Sequence, residues 1–169
     1  GKLWQKIRDA KERGIYLDIG HGARGFAFRT LEQSIEQGFM PDTISTDVHI
    51  GNIDGPVYDM PTTMSKMLAL GISLPELIEM STRIPARALS QEKELGSLTP
   101  GSVADVVVSR IENGSFTYLD VLHEQRTSSE KIVAETIVYS GNLYNGSRYH
   151  PVDMSHKHDA PPGFILTET

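Results

Sequence analysis

Apolar positions recur along the first half of the chain with helical spacing and along much of the second half with the alternation of strands. Over residues 4 to about 89, helical patterns are interleaved with short apolar runs. Ile7 and Ala10 mark a first helix that stops at Gly14, because glycine takes the left-handed conformation that closes a helix. Residues 15–19 read as a short buried strand and residues 25–28 as a second, very brief one. Thr30 as N-cap and Gln33 three positions on form a capping box for the next helix, which Gly38 closes. Residues 43–47 are again strand-like. Met64, Met67 and Leu68 predict a helix that stops at Gly71. Ser73-Leu74-Pro75-Glu76 opens another, with a Ser cap, a first-turn Pro and a Glu at the third position. Leu77, Ile78 and residues 86–89 are its expected inward face.

From Gly96 to about Tyr144 the period shifts towards two. Residues 103–108, 116–121 and 132–139 are strand candidates separated by Gly, Asn and Ser turns. The segment from Asn145 to Thr169 holds three His and three Pro with little apolar pattern, and is expected to be an extended tail lying on another surface. Helices alternating with strands predict a parallel α/β layout, and the β run behind it a separate small sheet.

Composition narrows the partners. The 169 residues are 38% hydrophobic and 22% charged, enough apolar content for a packed core. The formal charge is −6 and the basic residues are scattered, so neither a nucleic-acid groove nor an anionic membrane is expected as partner. Absence of cysteine excludes a disulfide scaffold and a thiolate zinc site, and fits a reducing cytoplasm. No apolar run approaches the roughly 18–20 residues that span a bilayer. The start, Gly1-Lys2-Leu3-Trp4, has neither an initiator Met nor a signal-peptide apolar region, and the natural chain is expected to begin earlier.

Two strand-like runs end in side chains that bind metals: Gly20-His21-Gly22 and Asp47-Val48-His49. Ligands collect at the C-terminal ends of parallel strands, so His21 and Asp47 fall where a site would be built. A neutral imidazole supplies a nitrogen ligand, and a carboxylate binds the same ion while taking a proton from water. Each has a plainer reading. A His beside a turn is more often a hydrogen-bonded structural residue, and an Asp after a strand more often a cap or turn former. His49, two positions beyond Asp47, points to the same side if the strand continues, and is otherwise a polar loop residue. Arg24, in Gly22-Ala23-Arg24-Gly25, is a candidate contact for a substrate carboxylate, although the run lacks the spacing and Lys of a phosphate loop. His150, His156 and His158 lie in the Pro-rich terminal segment and read more readily as solvated tail than as a metal site.

Several motifs in order carry a resemblance. Ile15-Tyr16-Leu17-Asp18-Ile19-Gly20-His21-Gly22 and Ile44-Ser45-Thr46-Asp47-Val48-His49 resemble the sixth and eighth strands of the amidohydrolase superfamily barrel, closest to its dihydroorotase-like amidohydrolase/deacetylase branch. Pro61-Thr62-Thr63-Met64-Ser65-Lys66-Met67-Leu68-Ala69-Leu70-Gly71 and Pro85-Ala86-Arg87-Ala88-Leu89 resemble the helices after the eighth strand. Leu95-Gly96-Ser97-Leu98-Thr99-Pro100-Gly101 and the apolar run after it are similar to the entry into the C-terminal β-sandwich. One departure is Ile84-Pro85-Ala86, where the family commonly has Asn-Pro-Ala.

The resemblance implies an α/β fold: the C-terminal part of a TIM-like (β/α)8 metallo-hydrolase barrel over residues 1–92, a β-sandwich segment over 93–145, and a tail over 146–169. It implies hydrolysis of a small-molecule amide or ester by water activated on one or two divalent ions, zinc by preference. His21 is then a metal ligand, and Asp47 a ligand and general base and acid. The family's His-x-His pair, carboxylated Lys and second His have no counterpart here. The rest of the barrel must come from upstream sequence or another chain, a homo-oligomer included. Two rivals stand beside this reading: a catalytically incomplete fragment, and a small α/β binding module with the His-rich tail as its own metal site.

Overall fold

A computed structural model describes residues 4–146. Two kinds of sheet form in it, and the chain between them decides which side chains reach the core. Helix α1 (Gln5–Glu12) leads into β1 (Asp18–Gly20), α2 (Phe28–Glu36) and β2 (Thr43–Ser45). The two strands pair in parallel, with Asp18 opposite Thr43, Ile19 opposite Ile44 and Gly20 opposite Ser45. Parallel neighbours need a long crossover, and α2 supplies it, so β1–α2–β2 is one βαβ unit. This pairing corrects the resemblance in one respect. No strand lies between β1 and β2, so they are consecutive strands and not the sixth and eighth of a series.

Helices α3 (Met60–Leu68), α4 (Leu74–Ser81) and α5 (Arg83–Ala88) follow. The Asp59 side chain caps α3 by accepting from the Thr62 N–H at 2.7 Å. The capping box of Ser73 and Glu76 forms at the start of α4 as the sequence predicts. The expected inward face is only partly realised. The chain breaks at Thr82, so Ala86 is buried on a separate helix, while Ile78 is 47% and Leu89 71% exposed.

Strands β3 (Val106–Leu119), β4 (Gln125–Tyr139) and β5 (Asn142–Asn145) make one antiparallel sheet in the order β3-β4-β5. The runs expected as separate strands at 103–108 and 116–121 lie largely on one long strand. The Asn-Gly-Ser segment between them is an irregularity between Asn113 and Phe116, not a turn. Among the described residues this part is a single three-stranded sheet.

One apolar core serves both parts. Phe26, Phe28, Leu31, Ile44, Met67 and Leu77 cluster with Tyr118 and Ile132 of the hairpin. The change of periodicity near Gly96 therefore marks a change of secondary structure over a shared core. The hairpin also caps α2. Ala27 offers no side-chain cap, and the Phe28 N–H donates to Asp120 Oδ2 at 2.8 Å, across 92 positions of sequence. Asp120 Oδ1 accepts from the N–H groups of Leu122 and Glu124 at 2.8 and 2.9 Å. Arg126 binds both Glu32 oxygens at 2.6 and 2.7 Å with its guanidinium over the Phe28 ring. The capping box expected from Thr30 is thus replaced by a distant carboxylate, and Thr30 sits inside the first turn. Residues 25–28 are not a strand: Phe26 fills the core from a turn and Phe28 opens the helix.

No helix among the described residues is long and apolar enough to cross a membrane. Of the expected tail only Gly146 is described, so His150, His156 and His158 fall outside the described residues.

Candidate functional site

The C-terminal ends of β1 and β2 stay side by side after the regular pairing stops, because the His21 N–H donates to the Ser45 carbonyl at 2.9 Å and the Gly22 N–H to that of Thr46 at 3.0 Å. Side chains on a strand alternate between its faces, so the pair presents two different surfaces. One carries Asp18, Gly20, Thr43, Ser45 and Asp47. There Thr43 Oγ1 donates to Asp18 Oδ1 at 2.6 Å, Ser45 Oγ donates to Asp18 Oδ2, and Ser45 Oγ lies 3.4 Å from Asp47 Oδ1. A Cβ placed on Gly20 would sit 2.3 Å from Asp47 Oδ2, and one on Gly22 would sit 3.5 Å from it. The Asp47 carboxylate therefore lies over the bare backbone of β1, in space that only a glycine at position 20 leaves open.

Asp47 adopts the left-handed conformation at φ 48°, which Asp tolerates better than most residues. Its carbonyl accepts from the Asn52 amide at 3.0 Å, and the Asn52 side-chain oxygen accepts from the His49 N–H at 2.7 Å. Buried Asn52 thus folds the chain back directly after Asp47. The strand does not continue, and His49 does not extend the row of Ser45 and Asp47. It is exposed, and its Nδ1 accepts from the Gly51 N–H at 3.0 Å, which places the proton of a neutral ring on Nε2. Arg24 is exposed on the turn between β1 and α2. That turn is tight: the N–H groups of Gly25 and Phe26 both donate to the His21 carbonyl at 3.1 Å, and a Cβ on Gly25 would meet the Gly20 carbonyl oxygen at 2.4 Å.

His21 belongs to the other face, with Ile19 and Ile44, and it is fully buried. Its ring centroid lies 5.0 Å from that of Phe26. Nδ1 is 3.0 Å from the Gly22 carbonyl oxygen, which only accepts, so Nδ1 carries the proton. Nε2 is then the acceptor, and Lys66 Nζ donates to it at 2.7 Å. Lys66 also donates to the Pro56 carbonyl, and its side chain is 1% exposed on α3. Burial, with the Lys66 charge adding to it, pulls the His21 imidazole down to about 4, so the ring is neutral near pH 7. Burial likewise brings Lys66 down to about 7, opposed by the carboxylates of Asp120 and Asp59.

The two residues that the sequence singles out as metal-binding are thus brought to neighbouring strand ends but on opposite faces. Asp47 is an exposed carboxylate at a strand end, with Oδ2 free of any hydrogen bond among the described residues. Both ring nitrogens of His21 are engaged, one with the Gly22 carbonyl and one with Lys66. Among the described residues no three His, Asp or Glu side chains converge to hold an ion. Lys66 was not singled out by sequence reasoning. Its signal is a lone cation inside Met64-Ser65-Lys66-Met67, on a helix buried from Thr62 to Met67.

Residues 27–139 match the Amidohydrolase family. The chain belongs to that family. A deacetylase of Enterococcus faecalis is 34% identical over 145 residues, which cover 83% of this chain and 39% of that protein. Two solved structures superpose on it. An adenine deaminase matches with a TM-score of 0.81 at 33% identity, over 85% of this chain and 39% of the other. A dihydroorotase matches with a TM-score of 0.76 at 31% identity, over 88% and 40%. The chain thus spans about two fifths of the length of these proteins.

Proposed function

We propose that this chain is the C-terminal part of a metal-dependent amidohydrolase that hydrolyses an amide or ester bond in a small molecule, as a deacetylase does. On this reading residues 1–92 are the end of a (β/α)8 barrel, residues 93–145 a β-sandwich segment and residues 146–169 a tail. The observation that carries it is the Asp47 carboxylate, held over Gly20 at the C-terminal end of a parallel strand with Oδ2 open. Asp47 holds one or two divalent ions, zinc by preference, together with ligands from outside this chain. When bound, such an ion supplies Lewis-acid activation of water at neutral pH.

The work of this chain is then positional and protonic. Asp47 Oδ2 accepts a proton from the attacking water and returns it to the leaving group. Ser45 gives its hydroxyl proton to Asp18, which leaves the Asp47 oxygens to the reaction. Arg24 and the His49 Nε2–H, both exposed, are the groups that reach a substrate carboxylate or carbonyl. Upstream sequence or a second chain, a homo-oligomer included, supplies the other strands. The composition, with no cysteine, supports a cytoplasmic setting.

A second reading concerns the chain alone. Because no three ligand side chains converge among the described residues, the isolated chain is expected to be catalytically incomplete. The test is Asp47→Asn in the complete protein. Turnover is expected to vanish with the fold intact, and an active Asp47→Asn enzyme would sink the assignment. The isolated chain, assayed beside it, is expected to retain no stoichiometric zinc.

A further inference from the structure

We infer that His21 is a positioning residue, which acts through Lys66 to hold the frame around Asp47, and is not a ligand of the family's metal. The inference rests on the reading of Asp47 as a metal-site residue. Four observations converge on it. The His21 side chain has no exposed surface. It stands on the core face of β1, whereas a Cβ on Gly20, one position earlier, points at the Asp47 carboxylate on the other face. Its Nδ1–H is held by the Gly22 carbonyl, which leaves Nε2 as the only nitrogen with a lone pair. That lone pair is taken by Lys66 Nζ at 2.7 Å. A zinc ion on Nε2 would sit about 2.0–2.1 Å from it, in the space of the ammonium group and repelled by its charge.

The positive role follows from what else Lys66 touches. The same Nζ donates to the Pro56 carbonyl, in the segment that leaves β2 at Asp47 and ends at Asp59, the cap of α3. One buried amine therefore fastens three pieces at one point: the end of β1 through His21, the segment after Asp47 through Pro56, and α3 through its own backbone. Asn52 anchors that segment at its other end by donating to the Asp47 carbonyl. Losing His21 frees one side of the fastening, and the Asp47 carboxylate loses its setting over Gly20 although His21 never approaches the reacting atoms. A 1 Å misplacement of a reacting group costs about 10²-fold in rate.

The test compares His21→Gln, Lys66→Met and Asp47→Asn in the complete protein, measuring zinc per chain, the visible spectrum after cobalt substitution, and kcat and KM separately. His21→Gln is expected to keep the parent's zinc content and cobalt band positions while kcat falls about 10²-fold and KM stays within about threefold. Lys66→Met is expected to share that pattern. The inference is overturned if His21→Gln loses zinc or shifts the cobalt bands while Lys66→Met does not. If a variant does not fold, ring-nitrogen NMR of the parent decides: His21 signals that hold their place on zinc addition support the inference, and a strong shift of Nε2 overturns it. Asp47→Asn separates the two readings. Full zinc and full turnover in that variant would defeat the proposed site, whatever His21 shows.

Discussion

The two faces of the β1–β2 pair are made by alternate residues of the same strands, yet they lead opposite chemical lives. On one, Asp18, Ser45 and Asp47 stand in or near solvent, with the Ser45 hydroxyl donated to Asp18 and 3.4 Å from Asp47 Oδ1. On the other, Ile19, His21 and Ile44 enter the core, and the only polar side chain among them has both nitrogens satisfied. His and Asp at neighbouring strand ends look like partners in a sequence. A one-residue difference in alternation separates them, because the side-chain period of a strand is two. The face, and not the residue type, decides which of them is exposed and which is buried.

The largest expected effect tests the polar face. Asp47→Asn in the complete enzyme should remove detectable turnover, a loss of at least about 10³-fold in kcat for a missing general base. Its unfolding midpoint in urea should barely move, because the residue is exposed. On the core face the signature should be reversed in kind. His21→Ala should cost about 3 kcal/mol of stability in a urea titration, since Lys66 and the Gly22 carbonyl lose their partner and a cavity opens. The pH dependence has a definite sign. The folded His21 pKa, about 4, lies below the ordinary 6.5, so the unfolded chain binds more protons between those values. Stability should therefore fall by about 3 kcal/mol as pH drops from 6.5 to 4, and His21→Gln should flatten that stretch of the melting profile.

Gly20→Ala sharpens the comparison, since the new methyl collides with Asp47 Oδ2 and leaves the core face alone. It should cost about 10²-fold in kcat with zinc content as the second readout. A drop in stability as large as that of His21→Ala would break the distinction between the faces. The smallest effect is expected from Ser45→Ala, under about 1 kcal/mol in stability, because the hydrogen bond it removes is exposed.

What the sequence made legible was local. The box at Ser73 and Glu76 and the helix stops at Gly14, Gly38 and Gly71 depend on residues within one turn, and all three glycines take positive φ. The βαβ order and the strand-end position of Asp47 were legible for the same reason. The misread elements needed distant partners. Thr30 and Gln33 have the pattern of a cap, but Asp120 satisfies the first turn of α2 instead. Asn113, Gly114 and Ser115 have the composition of a turn, but pairing with β4 carries the strand past them. His21 does stand at a strand end, as its pattern predicts, and what the sequence leaves out is the approach of Lys66 from α3 to its ring.

The Asp120 cap has a consequence for the order of events in folding. A helix of nine residues gains little from its own turns in water, and α2 has no side-chain cap of its own. Its first turn can be completed only when residue 120 arrives, after the intervening loop has been closed at an entropic cost that grows slowly with length. On a ribosome, α2 would emerge and wait, unfinished, until the β3–β4 hairpin was made. Formation of the βαβ unit and of the hairpin is thereby tied into one late step, and a chain released before the hairpin should show α2 amides that exchange with solvent as freely as those of an unfolded segment.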